Sequence, residues 1–234
     1  MTDHATRPIW ISGDWHLSPR SPPAHARLAR AFLARAEREG ARVVLNGDVF
    51  DDLFAGVGRP ALAHPDVADG IAALARAGRL ERTSGNHDPD AGPERIELAA
   101  PGIGRIIVAH GHALDPVNAS PVGRLGDAIS RRFGRLGLVR GAAWLAEAVA
   151  RAVAEERMVA LFRRRCLNLV GREGFDLGVF GHVHVAHLAP GDRYANAGAL
   201  GTEGLSYLVV DHAGPRLCTL RIGDLAETKP GGIR

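Results

Sequence analysis

Five short runs in this chain each stop at a cluster of Gly, Asp, Asn or His. Ile9-Trp10-Ile11 leads into Gly13-Asp14-Trp15-His16, and Val43-Val44-Leu45 leads into Asn46-Gly47-Asp48. Leu80 to Ser84 ends at Gly85-Asn86-His87-Asp88, Arg105 to Ala109 at His110-Gly111-His112, and Asp176 to Phe180 at Gly181-His182-Val183-His184. Runs of this kind, bounded by turn-forming residues, read as buried strands. A helix is predicted after the first, with Ser21 as its cap and Pro22 in its first turn. Its stripe is Leu28, Ala29, Phe32, Leu33 and Ala36, and Gly40 closes it. A second helix is predicted from Pro65 to Ala77. Alternating strand and helix argues an α/β fold, in which ligands bind at the C-terminal edge of the strands. The clusters are therefore expected to converge on one place.

From Ala113 to Phe175 the pattern changes to helix only, and this segment is expected to be a helical lid inserted into a single domain spanning 1–234. Ser120 and Pro121 read as a cap and first-turn pair, followed by Val122, Leu125, Ile129, Phe133 and Leu136. A second stripe runs through Leu145, Val149 and Val153, with Trp144, Met158 and Phe162 beside it. The segment holds eleven arginines against six acids, a net +5, whereas the whole chain is only +3. Basic charge concentrated in an insertion suits an anionic partner met there, although a solvated arginine-rich helix face accounts for it equally well. After Phe180 the chain turns β-rich, with Leu205–Asp211 and Arg216–Ile222 predicted to form a hairpin around residues 212–215. The polar, Gly-rich end from Glu227 is expected to fray.

At 234 residues the chain can bury one sizeable core. Its first residues carry no apolar leader, and no stretch has the length of a membrane span, so a cytoplasmic protein is expected. Cys166 and Cys218 form neither a metal-like spacing nor a disulfide framework.

The chemistry-bearing residues are Asp14, His16, Asp48, Asn86, His110, His182 and His184. In Asp14-x-His16 and His182-x-His184 alternate residues of an extended chain share a face. Carboxylate, amide and imidazole without thiolate favour Mn²⁺, Fe²⁺ or Zn²⁺ over a structural zinc cage. Singly these motifs are weak, but their shared place at strand ends is hard to obtain by accident.

Together the five blocks resemble the calcineurin-like metallophosphoesterase superfamily, over Ile9 to His184. The resemblance implies two mixed β-sheets packed face to face and flanked by helices. It implies one metal held by Asp14, His16, Asp48 and His184, and a second by Asp48, Asn86, His110 and His182. Manganese is the foremost expectation for the pair, with iron or zinc as alternatives. Two cations about 3.5–4 Å apart lower the pKa of a bridging water and clamp a phosphoryl group for in-line attack. His87, next to Asn86, is expected to protonate the leaving oxygen, or else to serve as a hydrogen-bond partner of the cage. Asp88 is expected to orient its ring, and His112 to lie behind the ligands.

Within the superfamily, the insertion and the spacing of Asp14, Asp48 and Asn86 are similar to the UDP-2,3-diacylglucosamine diphosphatase branch of lipid A synthesis. This resemblance implies a lipid-linked anionic substrate, with Arg131, Arg132 and Arg135 as candidate substrate-binding residues and the lid as a candidate contact for the inner face of a membrane. Three positions depart from that branch. It usually has arginine where this chain has His87, aspartate where it has His112, and Arg-Pro where it has Val185-Ala186. A soluble nucleotide phosphodiesterase or phosphatase is the main alternative; a non-catalytic interaction module and a nuclease are weaker ones, and no specific nucleic acid is expected.

Overall fold

A computed structural model describes residues 7–120, 129 and 156–227. Its strands, in chain order, are β1 (Ile9–Ser12), β2 (Arg42–Asn46), β3 (Leu80–Thr83), β4 (Arg95–Ala100), β5 (Gly104–Ala109), β6 (Leu177–Phe180), β7 (His187–Leu188), β8 (Tyr194–Asn196), β9 (Leu205–Asp211) and β10 (Gly214–Leu220). The helices are α1 (Pro23–Arg38), α2 (Asp52–Ala55), α3 (Arg59–Ala63), α4 (Pro65–Arg76) and α5, which spans residues 156–173. The strands form two five-stranded mixed sheets, ordered β10-β9-β1-β2-β3 and β4-β5-β6-β8-β7. β1, β2 and β3 are parallel, as are β5, β6 and β8, so each sheet presents one edge of strand C-termini.

Period-two alternation decides which faces meet. Ile9, Ile11, Val44, Leu208 and Val210 of the first sheet pack with Ile96, Leu98, Ile106, Val108, Leu177 and Val179 of the second. The intervening residues face outward under helices. Trp10, Val43, Leu45, Tyr207 and Val209 meet Leu28, Phe32, Leu33 and Ala36 of α1 and Val67, Ile71 and Leu74 of α4. On the other side Ile107, Phe180 and Tyr194 meet Phe162, Cys166 and Val170 of α5. The metallophosphoesterase architecture, two sheets face to face between helices, is therefore the one the chain adopts.

Several local readings are corrected. Ser21 does not cap α1: the helix starts at Pro23, and the Ser21 hydroxyl accepts the Ser18 N–H at 2.9 Å. The stripe of α1 is buried as the spacing predicts. The segment after β5 opens on a 3₁₀ turn, His112–Leu114, rather than a helix, and the helix expected to start at Ser120 and Pro121 lies outside the described residues. The hairpin turn is two residues long, since Asp211 pairs with Gly214, and Gly214 and Pro215 belong to β10. β4, β7 and β8 and the short α2 and α3 add to the sequence reading. Most of the 113–175 segment, including Arg131, Arg132 and Arg135, and the end from 228 lie outside the described residues. Among the described residues no helix is long and apolar enough to cross a membrane.

Candidate metal centre

The two C-terminal edges meet, and the loops leaving them are stitched together. The Asp14 and His16 N–H groups donate to the Gly47 and Asp48 carbonyls at 3.1 and 2.9 Å, extending the β1–β2 pairing past the strands. In the second sheet the Gly181 N–H donates to the His110 carbonyl at 3.1 Å. The His182 N–H crosses between the sheets to the Asp14 carboxylate, 3.0 Å from Oδ2. Close packing here demands glycine. A Cβ on Gly85 would lie 2.0 Å from Asp48 Oδ1, and one on Gly181 would lie 2.5 Å from Asp14 Oδ2.

The ligand-type side chains converge as the motif order predicts. His16 Nε2 lies 3.0 Å from His184 Nε2, and His184 Nε2 is 3.2 Å from Asp14 Oδ1. Asp48 Oδ2 is 3.7 Å from His16 Nε2 and 3.1 Å from His110 Nε2, which is itself 3.2 Å from Asn86 Oδ1. A single carboxylate oxygen thus lies between the two groups of donors. Its other oxygen is fixed by the His87 N–H at 2.8 Å. Three overlapping groups, Asp14/His16/His184, His16/Asp48/His87 and Asp14/Asp48/His110, each have donor atoms within 4.8 Å of one another.

The backbone is bent to achieve this. Among the described residues the non-glycines with positive φ are Asp14 (52°), His16 (44°), Asp48 (51°), His182 (70°) and His184 (58°). All five are expected ligands. Left-handed backbone in non-glycine residues costs on the order of 1–3 kcal/mol each and collects at functional sites.

The electrostatics call for a cation. Asp14 and Asp48 are almost wholly buried. Burial works to raise both carboxyls, yet His110 and His184 hold Asp14 down, and His110 and His87 hold Asp48 well below its ordinary value. Burial would likewise lower His110, but Asp48 and Asp14 overrule it and push that imidazole up to about 10. His16 is lowered to about 4, chiefly by burial and then by His87, which keeps it neutral and able to ligate. Two buried carboxylates ringed by imidazoles and an amide oxygen, with two imidazole nitrogens 3.0 Å apart that require a proton or cation between them, fit divalent metal ions.

His87 sits at the rim, its ring edge-on to His16 at 4.5 Å and to Phe54 at 5.4 Å. Its orienting carboxylate is Asp51, whose Oδ1 is 2.9 Å from Nδ1; this corrects the role expected of Asp88. Asp88 turns inward and accepts the N–H groups of Asp48 at 2.7 Å, Val49 at 3.0 Å and Gly85 at 3.1 Å. Burial first, and then the charge of Asp48, raises it to about 6. Asp88 therefore shapes the loop that carries Asp48. The His112 ring lies 5.5 Å from that of His110. His182 neighbours His110 at 5.4 Å, while its Nε2 meets Asp115 Oδ2 at 3.0 Å. The sequence alone assigns a role to neither Asp51 nor Asp115, although Asp51 closes the block Asn46-Gly47-Asp48-Val49-Phe50-Asp51. Asp51 has a signal there, three residues after Asp48; Asp115 has none.

The family profile for calcineurin-like phosphoesterases matches residues 7–186. Similar solved structures include an uncharacterised protein of Streptococcus pneumoniae described as a predicted phosphoesterase (16% identity, TM-score 0.48, covering 98% of this chain and 96% of that one). Others are Vps29 of Entamoeba histolytica complexed with zinc (14%, 0.45, 92% and 99%) and a dimetal phosphatase of Danio rerio (13%, 0.47, 92% and 99%). No curated protein matches the sequence.

Proposed function

The chain belongs to the calcineurin-like phosphoesterase family, and from that premise we propose that it hydrolyses a phosphoester or diphosphate at a dinuclear centre. In this reading Asp14, His16, Asp48 and His184 hold one ion, and Asp48, Asn86, His110 and His182 hold the other. The observation that carries it is the position of Asp48 Oδ2, 3.7 Å from His16 and 3.1 Å from His110, between the two donor groups. Divalent cations, manganese first, would polarise a phosphoryl oxygen and acidify water for attack on phosphorus.

The chain's own residues supply the rest. Asp51 orients His87 through Nδ1, so Nε2 is the nitrogen that would pass a proton to the leaving oxygen. The loop of Asp88 and Gly85 keeps Asp48 in its bridging position.

For the substrate, a UDP-2,3-diacylglucosamine-type lipid-linked diphosphate is the first proposal. It is supported by the +5 charge of the 113–175 insertion and by the spacing of Asp14, Asp48 and Asn86. Arg131, Arg132 and Arg135 are its proposed diphosphate contacts, and peripheral contact with a membrane belongs to the same reading. A soluble nucleotide phosphodiester is the second, favoured by the Asp51–His87 pair, because a positioned acid serves poor leaving groups. A panel with Mn²⁺ separates them. The first predicts release of UMP from the lipid-linked UDP sugar in detergent. No release from that lipid, alongside turnover of nucleotide diesters, selects the second.

A further inference from the structure

We propose that Asp115 is a positioning residue for the metal centre, holding His182 in the tautomer whose Nδ1 is available to a cation. The proposal rests on the dinuclear reading above and assigns a role to a residue outside the ligand set.

The geometry separates the two oxygens of Asp115. Oδ1 is tied to its own turn, accepting the Val117 N–H at 2.6 Å and the Asn118 N–H at 3.4 Å. Oδ2 is left to face His182 Nε2 at 3.0 Å. A carboxylate at that distance can only accept, so Nε2 must carry the proton. In a neutral imidazole the acceptor is then Nδ1. Carboxylates placed behind ligating histidines fix ring orientation and tautomer in this way.

The turn carrying Asp115 is itself held from α5. Arg165 donates to the Leu114 carbonyl at 3.1 Å, and the Phe162 ring lies 5.7 Å from that of His182. A Cβ on Gly111, at the start of the turn, would lie 2.9 Å from Phe162. As placed, Asn118 Nδ2 lies 3.0 Å from the same His182 nitrogen, and Asn118 can present either its oxygen or its nitrogen there. With its oxygen turned to the ring it shares the Nε2–H with Asp115, whereas with its nitrogen there it would favour the opposite tautomer. The charged acceptor decides between the two, because charge-assisted hydrogen bonds are the stronger ones.

Asp115→Asn is the informative variant. Its Oδ1 can still accept from Val117, so the turn is preserved. The group replacing Oδ2 is a donor, which favours the His182 tautomer with the proton on Nδ1, where it blocks the metal. Mn²⁺ binding should be measured on the full chain by competition with a chromophoric chelator, for the native protein, Asp115→Asn and Asp115→Ala. The expected result is two ions in the native chain and, in both variants, one ion weakened by about 10–100-fold with the other unchanged. A merely structural role would lower the melting temperature without splitting the two affinities. Ring ¹⁵N shifts of His182 in metal-free protein give a second readout, with the proton on Nε2 in the native chain and on Nδ1 in Asp115→Asn. Native affinity for both ions in both variants, or a native ring protonated on Nδ1 alone, overturns the proposal and leaves the dinuclear reading standing. A native chain that takes up no metal overturns both.

Discussion

Asp14, His16, Asp48, His182 and His184 each hold left-handed backbone that their side chains disfavour, and each points chemistry at the same place. The fold tolerates this because hydrogen bonds over-determine the loops, as where Asp88 gathers three backbone N–H groups around Asp48 and Gly85. His87 lies just outside that strained set and carries the residue-scale prediction. His87→Ala should slow hydrolysis of esters with poor leaving groups by about 10²–10⁴-fold. It should have a much smaller effect on a nitrophenyl ester, and both metals should be retained. Asp51→Asn should shift the same leaving-group dependence in the same direction. Rates across a leaving-group series check this; equal losses across the series, or loss of metal in His87→Ala, contradict it. The convergence of the expected ligands was legible in the sequence because each lies in a loop that leaves the C-terminal end of a strand. The partner of His87 was misread because Asp88 is its neighbour in the chain, whereas Asp51 comes from 36 residues away through the loop after β2.

The secondary-structure elements do two jobs: they bury alternate residues and end where ligands are needed. Strands β1, β2, β5 and β6 were legible because all but their first residues are buried on both faces, giving unbroken apolar runs. β4 was missed. It is an edge strand whose buried Ile96, Leu98 and Ala100 alternate with exposed Arg95, Glu97 and Ala99, so charge dilutes its pattern. β7 and β8 are two and three residues long, too short for any periodicity, and exist through their pairing with each other and with β6. The end of β6 also has no spare volume. Gly181→Ala would set a Cβ 2.5 Å from Asp14 Oδ2 and 3.2 Å from His110 Nδ1. It should destabilise the protein by about 1–3 kcal/mol through overpacking and weaken Mn²⁺ uptake. Thermal melting and metal titration check this; native values for both contradict it.

In the whole molecule the two sheets divide the proposed cage between them. The first contributes Asp14, His16, Asp48 and Asn86, and the second contributes His110, His182 and His184, with the His182 N–H to Asp14 contact at 3.0 Å joining them. The site therefore exists only when the sheets are packed, so metal binding adds to the stability of the folded chain. Chelation should lower the melting temperature, and Mn²⁺ should restore it. The central claim is that Asp48 is shared by two ions that together carry the hydrolysis. The direct measurement is metal content per chain alongside phosphodiesterase rate, for the native protein and for Asp48→Asn. The account predicts two ions and turnover in the native chain, with loss of turnover and weakened binding of both ions in the variant. Turnover at the native rate in Asp48→Asn, or in native protein stripped of metal, would contradict it.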